Sequence, residues 1–157
     1  AVIVMLHFAY GANMSSAVMR KHAPGARPLG VAELAAHRFV IAASGYASVV
    51  PENSSSVLGV LWQLTPRDRV KLDIWENVSA GLYRTATLSV RGTAGCAPAL
   101  VYIALDGGDG VAKRGYVELV TAAAREWNLP GSYIGLLERW LPARGHGKDA
   151  KKIGEFR

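Results

Sequence analysis

The sequence has few of the side chains that build disulfides and metal sites. Its 157 residues include one cysteine, Cys96, which cannot form an internal disulfide or a thiol cluster for structural zinc. The four histidines have no ligand spacing such as H-x-x-x-H; they are His7, His22, His37 and His146. The sequence therefore predicts no metal site, and a metal hydrolase is disfavoured.

Three motifs that carry common enzyme chemistries are also absent. The sequence has no G-x-S-x-G nucleophile elbow, no G-x-x-x-x-G-K-[ST] phosphate loop, and no G-x-G-x-x-G after a predicted strand. Serine hydrolases, P-loop proteins and Rossmann dehydrogenases therefore lose their main support as interpretations.

No apolar run approaches the length of a membrane helix. The run at residues 1–9 carries no basic leader and leads directly into the turn signal Y-G-A-N at residues 10–13. We therefore expect a strand there, not a targeting peptide, and no association with a membrane. Together with the single cysteine, which suits a reducing compartment, this pattern predicts a cytoplasmic protein.

The net charge of +6 raises the question of nucleic-acid binding. Half of the excess lies from residue 142 onward, where five basic residues stand against two acidic ones. The rest of the chain has no basic run longer than Arg20-Lys21 or Lys113-Arg114. This distribution is typical of a mildly basic solvated surface, so no nucleic-acid partner is predicted.

The first half of the chain is rich in strand signals. Residues 2–9 form a continuous β-prone run of the kind that is buried on both faces, which predicts a central strand. Ser15 or Ser16 can cap a short helix that ends at about His22. Residues 51–56 are predicted as a surface turn. Four short apolar segments between Gly, Pro and Ser breaks are predicted as successive strands: 28–35, 38–43, 45–50 and 57–64.

The second half mixes helices and strands. T-P-R-D at residues 65–68 is a strong helix start, and the helix is expected to run to about Trp75 and to stop at Asn77 and Gly81. Its expected apolar side consists of Val70, Leu72, Ile74 and Trp75. Residues 82–90 and 99–105 are predicted strands, separated by a loop around Cys96.

The pattern then changes to a helical period. A helix is predicted from about Tyr116 to Asn128, and a second one restarts at residues 129–132. The core-facing residues of this second helix are expected to be Tyr133, Ile134, Leu137, Trp140 and Leu141.

These elements predict one domain over residues 1–143, because half of the residues are apolar and the length suits a single core. The expected class is α+β, with a mixed, strongly curved or barrel-like sheet and peripheral helices. Residues 144–157 are polar, basic and glycine-bearing, and are predicted as a flexible tail.

The 10–13 loop (Tyr10, Gly11, Ala12 and Asn13) is the first candidate site. It follows a strand and precedes a helix, and glycine and asparagine tolerate positive φ there. Consecutive backbone N–H groups in such a turn can form an anion-binding nest, reinforced by the helix N-terminus. On these grounds alone, an ordinary strand-to-helix connection remains an alternative.

Glu76 is the second candidate. It is expected at the C-terminal end of a helix, beside an aromatic ring, where the helix dipole and partial burial both disfavour the carboxylate. We therefore expect its pKa to be raised, which suits proton exchange near neutral pH. A solvated surface glutamate is the alternative.

Together these features resemble the γ-glutamylcyclotransferase family. F-A-Y-G-A-N-M at residues 8–14 is similar to the family's F-A-Y-G-S-N-[LM] loop, and L-D-I-W-E at residues 72–76 with Gly81-x-Tyr83 is similar to its L-D-x-x-E-G…Y segment. The strand at residues 57–64, Val101-Tyr102, and Tyr116 followed by L-P-x-x-Y at 129–133 resemble three further family segments in order. The resemblance covers about residues 2–141.

The chain departs from the family pattern at three places. Ala12 stands where the family usually has serine, and Asn77 stands where it has glycine. Lys113 and Arg114 replace a stretch that is often Pro-Ser. The first change removes a hydroxyl but keeps the backbone N–H, and asparagine, like glycine, can adopt positive φ.

The resemblance implies an enzyme that releases 5-oxoproline and a free amine or amino acid from a small γ-glutamyl substrate. It implies Glu76 as general acid and base, and substrate binding by Tyr10, Gly11, Ala12, Asn13, Tyr102 and Tyr116. It implies no cofactor and no metal, in a monomer or homodimer. Two alternatives stay open: a γ-glutamyl group linked to a larger carrier, and a non-catalytic member that binds a small anion or a protein. His7 is expected to be a packed core histidine.

Overall fold

Residues 4–142 are the part of the chain that the computed structural model describes. They contain five strands: β1 (Met5–Ala9), β2 (Arg27–Ile41), β3 (Ala47–Leu64), β4 (Tyr83–Gly92) and β5 (Gly95–Ala104). They also contain four α-helices: α1 (Ser16–His22), α2 (Pro66–Trp75), α3 (Tyr116–Glu126) and α4 (Gly131–Glu138). No helix within this part of the chain is long and apolar enough to span a bilayer.

The strands form a closed barrel in the order β1-β3-β2-β4-β5. The sheet is mixed, because β1 runs antiparallel to β3 but parallel to β5, where His7 pairs with Leu100. The predicted α+β class with a barrel-like mixed sheet and peripheral helices is confirmed. The central position predicted for the first strand is also confirmed, since β1 has a neighbour on each side.

The four short strands predicted between residues 28 and 64 are wrong in number. They form two long strands, β2 and β3, which pair as one antiparallel hairpin. The predicted turn at residues 51–56 lies inside β3: Pro51 pairs with His37 and Ser56 pairs with Ala35. Four residues of β3 thus oppose the single residue Ala36, whose φ is 58°. The polar run is therefore an enlarged β-bulge with more than one extra residue.

The second hairpin is tighter than the sequence suggests. Strands β4 and β5 confirm the two predicted strands, but the loop predicted around Cys96 is wrong. Cys96 lies in β5 opposite Arg91, and the strands reverse between Gly92 and Gly95. Gly95 has a φ of 109°, a conformation that glycine permits, so the turn needs only two intervening residues.

Helices α1 and α2 start where the sequence predicts. Ser15 caps α1 by accepting from the Val18 N–H. Thr65 and Asp68 form a reciprocal capping box with Pro66 in the first turn of α2. The predicted start and end of α3 and the predicted start of α4 also agree with the structure within a few residues.

Of the four residues predicted for the apolar side of α2, Leu72 is buried and Trp75 partly buried, but the other two are wrong. Val70 and Ile74 are 58% and 70% exposed, whereas the buried stripe is Asp68, Leu72 and Glu76. These three residues are spaced four apart, so they share one helix face. Two of the three are acidic, which explains why hydrophobic periodicity did not reveal this face. In the segment after α4, Leu141 is likewise exposed instead of packed.

Two predictions fall on residues that the structure does not describe. The flexible tail proposed for residues 144–157 lies outside the described residues, and so do residues 2 and 3 of the predicted first strand.

Strand β1 packs directly against the backbone of β3 at Gly59. A Cβ atom built there would lie 2.2 Å from the Ala9 carbonyl oxygen and 2.9 Å from the Phe8 ring. Only a residue without a side chain permits this approach, which fixes the strand that leads into the 10–13 loop.

We predict that Gly59→Ala is strongly destabilising, by about 1–3 kcal/mol or more, because overpacking must displace backbone. Gly92→Ala is the matched control: its added Cβ would meet Leu61 at an ordinary 3.5 Å. Urea unfolding of both variants measures the difference. Equal free energies of unfolding would contradict the assigned β1–β3 packing.

Candidate active site

The 10–13 loop is formed by a short 3-10 turn. Ala12 to Met14 adopt that conformation, closed by hydrogen bonds from the Met14 N–H to Gly11 and from the Ser15 N–H to Ala12, both 3.0 Å. All residues of the loop are buried. The expected use of positive φ is not observed, because the φ of Gly11 is −119° and Asn13 lies within the turn.

Glu76 ends α2 and is 4% exposed. Its N–H still donates to Leu72 at 2.8 Å, and the next residue, Asn77, turns the chain with a φ of 51°. Asparagine therefore adopts the left-handed conformation expected at this position. The surface alternative considered for Glu76 does not fit this burial.

The loop and Glu76 meet in space although they are distant in the chain. The Asn13 side chain donates from Nδ2 to Glu76 Oε1 at 3.4 Å. Both belong to one small pocket with a cavity volume of about 30 Å³. Every predicted site residue lines this pocket: Tyr10, Gly11, Ala12, Asn13, Glu76, Tyr102 and Tyr116.

Tyr10 and Tyr102 are held in a chain of hydrogen bonds along one wall. The Tyr10 hydroxyl donates to the Tyr102 carbonyl at 2.5 Å, and the Tyr102 hydroxyl donates to Asp73 Oδ1 at 2.7 Å. Asp73 Oδ1 also accepts a hydrogen bond from Arg69 Nε at 3.1 Å. Burial raises the pKa of both phenols, and the nearby charge of Glu76 raises the pKa of each further. Both are therefore neutral near pH 7.

Tyr116 forms the opposite side of the pocket. It is the first residue of α3, and its hydroxyl receives the Ala47 N–H at 3.3 Å and a backbone hydrogen bond from Ala12. Burial raises the pKa of Tyr116 despite these donors. Ala12 is thus tied to α3 through its backbone, and this contact does not need the hydroxyl of a serine.

Besides Phe8 and Ala9 of the 8–14 motif, three pocket residues were not predicted as site residues. Tyr83 donates to the Ala47 carbonyl at 2.6 Å, so it orders the same backbone that contacts Tyr116. Ala47 itself carries no sequence signal. Tyr83 belongs to the Gly81-x-Tyr83 motif and could have been found from it. His7, the third, is buried as expected but also lines the pocket.

His7 is held as a neutral side chain. Its Nδ1 lies 3.1 Å from the Leu100 carbonyl oxygen. Burial lowers the pKa of His7 from 6.5 to about 4, partly offset by that hydrogen bond. Among the described residues, no group of three or more His, Cys, Asp or Glu side chains is placed to hold a metal ion.

The depressed pKa of His7 predicts a loss of stability in acid. The unfolded chain binds a proton below about pH 6.5, but the folded protein does so only near pH 4, so unfolding takes up a proton in between. This contribution is present above pH 6.5 and declines as the pH falls, by about 3 kcal/mol in total. We expect His7→Asn to lose less stability than the wild type between pH 7 and pH 4, measured by urea unfolding. Parallel pH profiles would contradict the assignment.

Solved structures share this fold over nearly the whole chain. A protein named gamma-glutamyl cyclotransferase matches with a TM-score of 0.86 and 22% identity, covering 96% of each chain. An uncharacterized protein from Homo sapiens matches with a TM-score of 0.83 and 23% identity, covering 96% of this chain and 95% of the other. YkqA from Bacillus subtilis matches with a TM-score of 0.79 and 20% identity, covering 94% of this chain and 56% of the other. At these identities the similarity shows the fold.

Sequence comparison supplies the family. No curated protein matches the chain. The model of the AIG2-like family matches residues 56–137, just over half of the chain, from the bulge of β3 through Glu76 and Tyr116 into α4. The motif resemblance, the fold and this match agree. The chain belongs to the AIG2-like family, whose fold is that of the γ-glutamylcyclotransferases.

Proposed function

We propose that the protein is a γ-glutamyl cyclotransferase, which releases 5-oxoproline and a free amine or amino acid from a γ-glutamyl compound. The observation that carries this proposal is the contact between Asn13 and Glu76, which brings the 10–13 loop and a buried carboxylate to one small pocket. A general acid and base must lie within reach of the reacting nitrogen, and a buried carboxylate beside the loop meets that requirement.

The reaction closes a five-membered ring. The α-nitrogen of the γ-glutamyl group attacks its own γ-carbonyl carbon, and the bond from that carbon to the leaving nitrogen breaks. An α-ammonium group has no lone pair, so Glu76 first removes a proton from it. Glu76 then returns protons to the leaving nitrogen. In total, two protons pass from the α-nitrogen to the departing amine, and Glu76 ends as it began.

The site needs no side-chain nucleophile for this chemistry, because nucleophile and electrophile belong to one substrate. Its main task is to hold one substrate rotamer in reactive geometry. A rigid pocket suits that task. The 10–13 loop is fixed by its own turn and by Ser15 at the start of α1.

We further propose that the 10–13 loop binds the substrate through backbone N–H groups and stabilises charge that develops on the γ-carbonyl oxygen. Tyr102 and Tyr116 form the walls. Their raised pKa values keep them neutral, so they add no negative charge beside Glu76. Burial of Glu76 and its place at the end of α2 both disfavour its ionised form, and a raised pKa for this carboxyl group stays a prediction.

Two alternatives to this proposal are a non-catalytic binding role and a γ-glutamyl group linked to a larger carrier. A non-catalytic member of the family would be supported by a Glu76 side chain that points away from the loop, and the contact with Asn13 favours catalysis instead. A carrier-linked γ-glutamyl group would use the same chemistry with a larger partner. The identity of the amine that leaves is therefore the open part of the proposal.

We predict that Glu76→Gln keeps the fold but reduces 5-oxoproline release to background, because an amide cannot exchange protons. The assay is 5-oxoproline release from γ-glutamyl dipeptides, γ-glutamyl amines and glutathione. Glu118→Gln removes an equally charged but exposed side chain on α3 and is expected to retain wild-type turnover.

Circular dichroism and thermal unfolding of both variants separate lost chemistry from lost structure. A fully active Glu76→Gln variant would remove Glu76 from the mechanism. Silence of the wild type on every substrate of the panel would favour a carrier-linked group or a binding role.

A further inference from the structure

His7 stands directly before the 8–14 motif and is not part of it. The side chain is 2% exposed and lines the same pocket as Glu76 and the 10–13 loop. Its ring packs edge-on against Tyr102, with centroids 5.4 Å apart. It is therefore a polar side chain buried in the wall of the proposed active site.

The hydrogen bond to Leu100 determines the tautomer of His7. A carbonyl oxygen can only accept, so Nδ1 must carry the proton that is donated to it. In the neutral ring, Nε2 is then the acceptor. The pKa of about 4 means that this form persists at neutral pH.

His7 Nε2 is buried and has no hydrogen-bond partner within residues 4–142. Two nearby donors are used elsewhere: the Tyr102 hydroxyl donates to Asp73 Oδ1, and Arg69 Nε donates to both oxygens of the same carboxylate. Buried polar atoms without partners are uncommon, and each one calls for an explanation, of which a role in binding is one. The unused atom is an acceptor, so its partner must be a donor.

We propose that His7 Nε2 accepts a hydrogen bond from the α-nitrogen of a bound γ-glutamyl group and, after ring closure, from the lactam N–H of 5-oxoproline. The identity of this ligand rests on the proposed function. The α-carboxylate and the γ-carbonyl oxygen can only accept, so they cannot pair with Nε2. The donors of the substrate are the α-ammonium group and the amide N–H.

The α-nitrogen is favoured over the amide because it is common to substrate and product. A hydrogen bond from one of its N–H groups to His7 orients the remaining lone pair for attack on the γ-carbon. Glu76 then takes the proton that the attack releases. His7 does not itself transfer a proton, since a ring that protonates only near pH 4 is a weak base at neutral pH.

The direct test is ¹⁵N NMR of the full chain labelled at histidine nitrogens. Addition of 5-oxoproline or L-glutamate is expected to shift the unprotonated Nε2 resonance of His7 upfield, as a new hydrogen bond does. The resonances of His22, His37 and His146 serve as internal references, and His7→Asn identifies the signal. L-glutamate lacks the amide N–H, so a shift that appears only with a γ-glutamyl dipeptide would overturn the assignment to the α-nitrogen.

The kinetic test uses His7→Asn, whose Nδ2 can still donate to Leu100 but which has no acceptor at the Nε2 position. Loss of one hydrogen bond to substrate is expected to raise KM by roughly tenfold, with a smaller change in kcat. His37→Asn, outside this pocket, is the control with unchanged KM. If His7→Asn does not fold, the His7 signal is identified as the one that remains when the other three histidines are replaced by asparagine, and the NMR titration decides.

The outcomes separate this inference from the proposed function. A shift with L-glutamate in a protein that releases no 5-oxoproline would retain the His7 site and reject the activity. Wild-type turnover that depends on Glu76, with no shift and a normal KM for His7→Asn, would retain the activity and reject the role of His7.

Discussion

The geometry of the site depends on one buried carboxylate that is not in the site. Asp68 accepts from the Thr65 N–H and hydroxyl at the start of α2 and from the Gly25 N–H, 3.1 Å away, beyond the end of α1. It thereby ties α2 to the segment that follows α1. Because an α-helix rises 1.5 Å per residue, fixing Asp68 also fixes Glu76, about 12 Å further along the same face. The loop that precedes α1 and the carboxylate that ends α2 are thus held in register.

This arrangement places a carboxylate among phenols, and the phenols are not free to rearrange. The Tyr10, Tyr83 and Tyr102 hydroxyls donate to two backbone carbonyls and to Asp73. Such committed donors preorganise the walls of a pocket, so little reorganisation is needed during a reaction. Glu76 is buried beside these fixed groups, in an environment where electrostatic interactions are stronger than in water.

The sequence predicted the class of the fold and the residues that line the pocket for different reasons. Capping signals at Ser15 and Thr65 are local, and they gave correct helix starts. The motifs at residues 8–14 and 72–76 connected two distant segments, which periodicity could not do. The α2 face was missed because its buried residues are mostly acidic, and hydrophobic pattern alone favoured Val70 and Ile74. The bulge at residues 51–56 was missed because polar residues at an exposed part of a long strand resemble a turn. Tertiary contacts, not local propensity, determine the buried face of α2 and the bulge in β3.

The two departures from the family motif within the site illustrate the difference between a residue and its physical role. Asn77 replaces glycine, but the position requires a left-handed backbone, and asparagine supplies it with a φ of 51°. Ala12 replaces serine, but it is fully buried and is held through its backbone to Tyr116. Neither departure removes the backbone geometry that the position needs. His7 carries no motif signal, and its significance arises only from the pairing of β1 with β5, which directs Nδ1 to Leu100 and leaves Nε2 without a hydrogen-bond partner among residues 4–142. A site inherited from a fold is therefore defined by such atoms and their unmet hydrogen bonds, more than by the letters of its motif.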